Sequence, residues 1–206
     1  MVEYPWLLSR LAGGRVLDAG ATLNHAHVLE RVLARGEELH LVTLAPEQVE
    51  LPGATYDYAD LRELPYENGS FDAVVSLSTL EHVGMDTSRY GADAPRGDPA
   101  AELERAESEL VRVLAPGGTL LVTVPYGARE DHGWFRQLDR DEVEGLFSFA
   151  NPSRDVDVYR YTAAGWQVSS LDQAAHERYH DHHADPTVPP DHAAAARAVA
   201  CVQLGF

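Results

Sequence analysis

Apolar positions along this chain follow two spacings in alternation, and they predict strands and helices in alternation. Trp6, Leu7, Leu8 and Leu11 recur at helical spacing over 4–11, and Gly13-Gly14 stops that helix. A short apolar run then carries Val16, Leu17 and Ala19 and breaks at Gly20, which reads as a buried strand entering a tight turn. Val28, Leu29, Val32 and Leu33 mark a helix face over 25–35, with Asn24 as its N-cap and Gly36 as its C-cap. Strands follow at 39–44, 56–59, 71–77 and 119–125; the last two are separated by a helix over 100–114 that turns Leu103, Ala106, Leu110 and Leu114 inward. Pro116-Gly117-Gly118 ends that helix. Strand and helix alternating at short intervals predict an α/β fold with a mostly parallel sheet and right-handed crossovers.

Past Tyr126 the pattern loosens. Residues 134–138 and 141–147 are expected to be helical, 156–161 and 167–171 to be strands, and 162–166 to be a short helix and turn. The alanines of 193–204 favour helix over strand. One domain over 1–206 accounts for the length, with 15–125 as its ligand-binding core and 126–206 as a substrate-side cap.

Charge narrows the partners. Sixteen basic against thirty-three acidic side chains leave a formal charge of −17, a field that repels phosphate backbones and anionic membrane surfaces, so neither nucleic acid nor membrane is an expected partner. The single cysteine, Cys201, permits no intrachain disulfide, and the first residues lack a signal-peptide pattern, so a cytoplasmic protein is expected. Backbone N–H groups of the 20–24 turn, at the carboxyl end of the first strand, suit a nucleotide-like ligand. A G-x-G-x-x-G fingerprint would want three glycines, and only Gly20 is present, which disfavours a nicotinamide dinucleotide. An ordinary strand-to-helix turn is the other reading of that segment.

Several separated stretches together resemble one family, the class I S-adenosylmethionine-dependent methyltransferases. They are Val16-Leu17-Asp18-Ala19-Gly20; Asp60-Leu61 with Leu64-Pro65-Tyr66-Glu67-Asn68-Gly69-Ser70-Phe71-Asp72; Leu80-Glu81-His82-Val83; and Glu109 through Leu120 with its Ala-Pro-Gly-Gly turn. Order and spacing agree over 15–125. The Arg89-Tyr90-Gly91 loop and the Val-Pro-Tyr-Gly after the fifth strand look like a little-characterised bacterial branch associated with sugars or natural products.

The resemblance implies a Rossmann-like doubly wound sheet and S-adenosylmethionine as cofactor. Asp18, Gly20 and the turn through Ala21, Thr22 and Asn24 would hold the methionine end. Thr43 would meet the ribose, Asp60 and Leu61 would flank the adenine, and Ser76 and Ser78 would sit beside the sulfonium. Two departures stand out. Thr22 and Asn24 occupy positions where the family usually has glycine, and Thr43-Leu44-Ala45-Pro46 lacks the carboxylate that usually bridges the ribose hydroxyls.

The implied reaction is methyl transfer to a small-molecule acceptor, an oxygen of a sugar or secondary metabolite. The alternative is a methyltransferase-like fold that binds or scaffolds, or that runs another reaction in the same pocket. For an oxygen nucleophile a base is needed, and His82 is placed for it at the mouth of the fourth strand, with Glu81 beside it; capping of the next segment is the bland role for both. His132 with Asp131 is the second candidate pair. His176 and His180, four apart, could share a helix face with Glu177 or Asp181 nearby, and His182 and His183 follow. A solvated loop is preferred there and no metal is expected; Glu81 and Asp86 are the other pair that could orient an ion. Tyr90 and Trp134 are expected in the acceptor pocket and Trp166 in the core.

Overall fold

The structure, a computed structural model, describes residues 2–35, 38–88, 97–180 and 195–206. Its first half runs α1 Glu3–Arg10, β1 Arg15–Ala19, α2 Ala26–Leu33, β2 Glu38–Thr43, β3 Ala54–Tyr58 and β4 Phe71–Leu77. Then come α3 Pro99–Val113, β5 Leu114–Pro125, the short strands β6 Glu130–Asp131 and β7 Arg136–Gln137, and α4 Arg140–Gly145. The chain finishes with β8 Ser153–Thr162, β9 Gly165–Ser169, α5 Leu171–Ala174 and β10 Ala198–Gly205.

Eight strands share one sheet in the order β3-β2-β1-β4-β5-β10-β8-β9. The first five are parallel, whereas β10 runs antiparallel to both β5 and β8, and β9 closes the edge as a hairpin with β8. Successive side chains of a strand point to opposite faces, and here both faces are apolar. Val16, Val75 and Leu121 therefore pack with Trp6 and Leu7 of α1 and Val28, Leu29 and Val32 of α2. Their neighbours Leu17, Val74 and Leu120 pack with Ala106, Leu110 and Val113 of α3 and Val143 of α4. Helices on both faces confirm the doubly wound α/β arrangement expected from the sequence.

Three expectations beyond Tyr126 are overturned. The alanine-rich tail is strand β10, because Ala198 through Val202 are buried between β5 and β8, and paired neighbours on both sides outweigh a few tenths of a kcal/mol of helix propensity per residue. Residues 134–138 are extended in the β6–β7 hairpin instead of helical. Residues 162–166 form the β8–β9 turn, where Gly165 takes the positive φ of +89° that closes the hairpin. Elsewhere β5 begins at Leu114, its Ala115–Gly118 stretch bulging out between the pairs Phe71–Leu114 and Ala73–Thr119. Asn24 does not cap α2; His25 holds that position with no side-chain bond. Gly36 lies outside the described residues.

Candidate functional site

Parallel strands β1, β2 and β4 end on the same rim, and after β1 and β4 the backbone leaves the sheet there in tight turns. After β1, Gly20 and Ala21 take φ of +127° and +53°, and Gly20 N–H donates to the Val42 carbonyl at 2.8 Å, fastening the turn to β2. A Cβ on Gly20 would lie 2.3 Å from Thr79 Oγ1, so only glycine lets the two turns approach. After β4, Ser78 is also left-handed, at φ +44°, with its N–H held by the Thr123 carbonyl and hydroxyl.

Between these turns opens a cleft of about 350 Å³, inside the size range of small-molecule sites. Gly20 and Thr22 wall it from β1, Thr43 to Glu47 from β2, Ala59 to Arg62 from β3, and Ser78, Thr79 and His82 to Met85 from β4. Of the positions expected to hold a cofactor, Gly20, Thr22, Thr43, Asp60, Leu61 and Ser78 meet here, together with His82.

Other expected residues are placed elsewhere. Asp18 is fully buried, its carboxylate accepting from Leu23 N–H at 2.7 Å and Thr22 Oγ1 at 3.1 Å. Burial pushes its pKa up to about 7, against the lowering effect of those bonds. It braces the turn from inside and does not line the cleft. Ser76 is buried within β4, and its hydroxyl has no hydrogen-bond partner among the described residues. Ala21 is likewise buried. Asn24 faces an adjoining hollow shared with Pro46 and Glu47. Asp60 lines the cleft, but its carboxylate already accepts from the backbone and guanidinium of Arg62, which reaches on to Glu102 of α3.

His82 stands in a short 3-10 turn, Leu80–His82, at the tip of β4. Its Nδ1–H donates to the Trp134 carbonyl at 2.9 Å, and its ring stacks on the Trp134 indole with centroids 5.2 Å apart. A carbonyl accepts only, so in the neutral ring Nε2 is the nitrogen with the basic lone pair. Trp134 thus supports the cleft from behind His82. Glu81 points inward and is 3% exposed; burial, reinforced by the charge of Glu3, pushes its pKa well above the carboxylate range against the pull of Arg136. His132 stacks face to face on Phe135 at 4.6 Å, with Nε2 3.7 Å from Glu130, and is not part of the cleft wall.

Residues 176–180 spell His-Glu-x-x-His, an order that binds zinc when both histidines project from one helix. Here the segment is not helical; Glu177 O accepts from Ala128 N–H, and His180 N–H donates to Ala195 O. Among the described residues no three His, Cys, Asp or Glu side chains converge as a metal site. Asp181, His182 and His183, like the Arg89-Tyr90-Gly91 loop, lie outside the described residues. Trp166, expected in the core, is half-buried and packs against the margin of the α1–α2 core.

Glu47, Thr79, Arg62 and Met85 of the cleft wall were not singled out from sequence. Glu47 was the nearest to visible, as the first carboxylate after a strand end that lacks one.

Residues 17–122 match the model of the family described as "Methyltransferase domain". A protein of Mycolicibacterium smegmatis named "Probable S-adenosylmethionine-dependent methyltransferase" is 31% identical over 129 residues, 60% of this chain and 43% of that protein. The 27-O-demethylrifamycin SV methyltransferase of Amycolatopsis mediterranei is 26% identical over 187 residues, 78% of this chain and 62% of that one. The chain thus spans about half the length of the curated relatives it matches. In three dimensions it superposes on the 1,6-didemethyltoxoflavin-N1-methyltransferase of Burkholderia thailandensis, solved with 1,6-didemethyltoxoflavin and S-adenosylhomocysteine. The TM-score is 0.60 at 16% identity, covering 100% of this chain and 77% of the other. Among the described residues no helix is long and apolar enough to cross a membrane.

Proposed function

The chain belongs to the methyltransferase-domain family and has the class I methyltransferase fold, and on that premise we propose that it transfers a methyl group from S-adenosylmethionine to an oxygen of a small polar acceptor, a sugar or a secondary metabolite. One observation carries this reading: the cleft sits where β1, β2 and β4 end, walled by Gly20 and Thr22 on one side and Ser78 and Thr79 on the other. The residues fit the cofactor. Leu61 and Ala59 offer apolar faces to a purine, and the Asp60 carboxylate retains acceptor capacity beside its arginine.

Bound there, S-adenosylmethionine supplies an electrophilic methyl, so the protein's work is to align the acceptor and take its proton. Gly20, Thr22 and the Ser78 turn set one wall against which the acceptor is presented. His82, held through Nδ1 by Trp134, would take the acceptor proton at Nε2. The acidic balance of the chain favours a small-molecule acceptor over a nucleic acid.

Isothermal titration of the chain with S-adenosylmethionine tests the reading. Saturable binding with a micromolar dissociation constant is expected; no heat up to millimolar ligand would shift the assignment to a methyltransferase-like fold that has given up the reaction.

A further inference from the structure

Residues 82–85, which follow β4 and wall the cleft, are held from behind by a loop some fifty positions further along the chain. Strands β6 and β7 pair Asp131 with Arg136, and His132 N–H donates to the Phe135 carbonyl at 3.0 Å, which leaves Gly133 and Trp134 as a two-residue turn. Gly133 takes φ of +79°, and Asp131 Oδ1 accepts from Gly133 N–H at 2.8 Å, so a side chain fixes the turn from its own strand. Both turn residues then aim a carbonyl at the segment after β4. Gly133 O accepts from Asp86 N–H at 3.0 Å, and Trp134 O accepts from His82 Nδ1–H at 2.9 Å.

The two bonds differ in what they decide. A backbone N–H carries its proton whatever faces it, so the Asp86 bond sets only how the loop sits on the segment. A neutral imidazole can hold its proton on either nitrogen, and the partner of one nitrogen settles the state of the other. A carbonyl at Nδ1 keeps the proton there and leaves Nε2 able to accept one. The direction of the Trp134 carbonyl therefore governs whether His82 presents a basic nitrogen, and that direction is set by the left-handed Gly133 and the Asp131 acceptor that precede it.

We propose that Gly133 and Asp131 are positioning residues for His82: their turn aims the Trp134 carbonyl at Nδ1 and so holds the ring in the one tautomer that can take a proton at Nε2. Both are exposed, and neither lines the cleft. The inference rests on the reading of His82 as the base for the acceptor, but its test needs neither cofactor nor acceptor.

Long-range proton–nitrogen NMR on the full chain, with the His82 ring assigned by its loss in His82→Gln, reads which nitrogen is protonated once the ring is neutral. Wild type should show the Nδ1–H form. Gly133→Val should lower the ratio of Nδ1–H to Nε2–H by roughly fivefold, the weight of one neutral hydrogen bond, because a β-branched residue resists a positive φ. A Cβ at this position meets nothing within 4 Å, so the substitution acts on the backbone alone. Asp131→Ala should move the ratio the same way, and Gly133→Asn, which tolerates the left-handed region, should keep the wild-type pattern. A loop with a merely structural role would change its own amide shifts and leave the His82 ratio where it was. A wild-type ring protonated on Nε2 would overturn the proposal, as would ratios within about twofold of wild type in both Gly133→Val and Asp131→Ala. A Gly133→Asn protein as altered as Gly133→Val would overturn it as well, by making the added side chain the cause. Failure of the cofactor reading shows separately, as absence of heat with S-adenosylmethionine, so the two failures stay distinct.

Discussion

Asp18 shows how far a single residue can depart from the role its motif suggests. Its position at the end of β1 was legible, because an apolar run breaking at Asp-x-Gly has few other solutions. Whether the carboxylate faces the cleft or the interior is not written in spacing; it follows from the left-handed Ala21, which folds Thr22 and Leu23 back over the strand end. Asp18→Ala leaves the buried Leu23 N–H without an acceptor and should cost about 1–3 kcal/mol in urea unfolding. Asp18→Asn, which keeps one acceptor oxygen, should cost distinctly less. Cofactor affinity should fall with the first variant as a consequence of the loosened turn. An Asp18→Ala protein as stable as wild type would refute the bracing role. The same blindness hid Glu47, which lines the cleft from the connection after β2 and accepts a hydrogen bond from Asn24.

At the scale of elements, the first half was readable because β1, β2 and β4 are mostly apolar, mostly buried runs bounded by turn residues. The second half was not. In β10 the run Ala198-Val199-Ala200-Cys201-Val202 has neither alternation nor helical spacing, since both faces of the strand are covered, and composition alone pointed the wrong way. The β6–β7 hairpin is too short to show a period at all. Helix α4, in contrast, carries its start signal openly. Asp139 accepts from Glu142 N–H at 3.0 Å while Glu142 Oε2 accepts from Asp139 N–H at 3.1 Å, a reciprocal capping box. Asp139→Ala should lower stability by about 1 kcal/mol, read as a shift in the urea midpoint at unchanged slope. A midpoint identical to wild type would mean that the helix is held by Val143 packing alone.

Across the whole molecule, three buried acids weigh on the response to pH, Glu81 among them with its carboxyl pushed well above the usual range by burial. Asp18 and Glu107 are each raised to about 7, mainly by burial. The unfolded chain gives up these protons near the ordinary carboxylate values, whereas the folded chain keeps them to about pH 7. Between those limits the folded state binds more protons at these two sites, so their contribution to stability falls as pH rises and levels off above the upper limit. Glu107→Gln retains an acceptor for Phe147 N–H and removes the ionisation. Thermal melts should show its advantage over wild type growing from about pH 4.5 to about pH 7 and constant beyond. An advantage independent of pH would assign the effect to packing.

The inward brace on the β1 turn has one more consequence. Because Asp18 spends its bonds on the protein, the receiving surface keeps its contour with or without an occupant, and little backbone freedom is forfeited when a ligand arrives. Entry into such a preset mould should be quick and leave the amide exchange rates of residues 20–23 almost untouched.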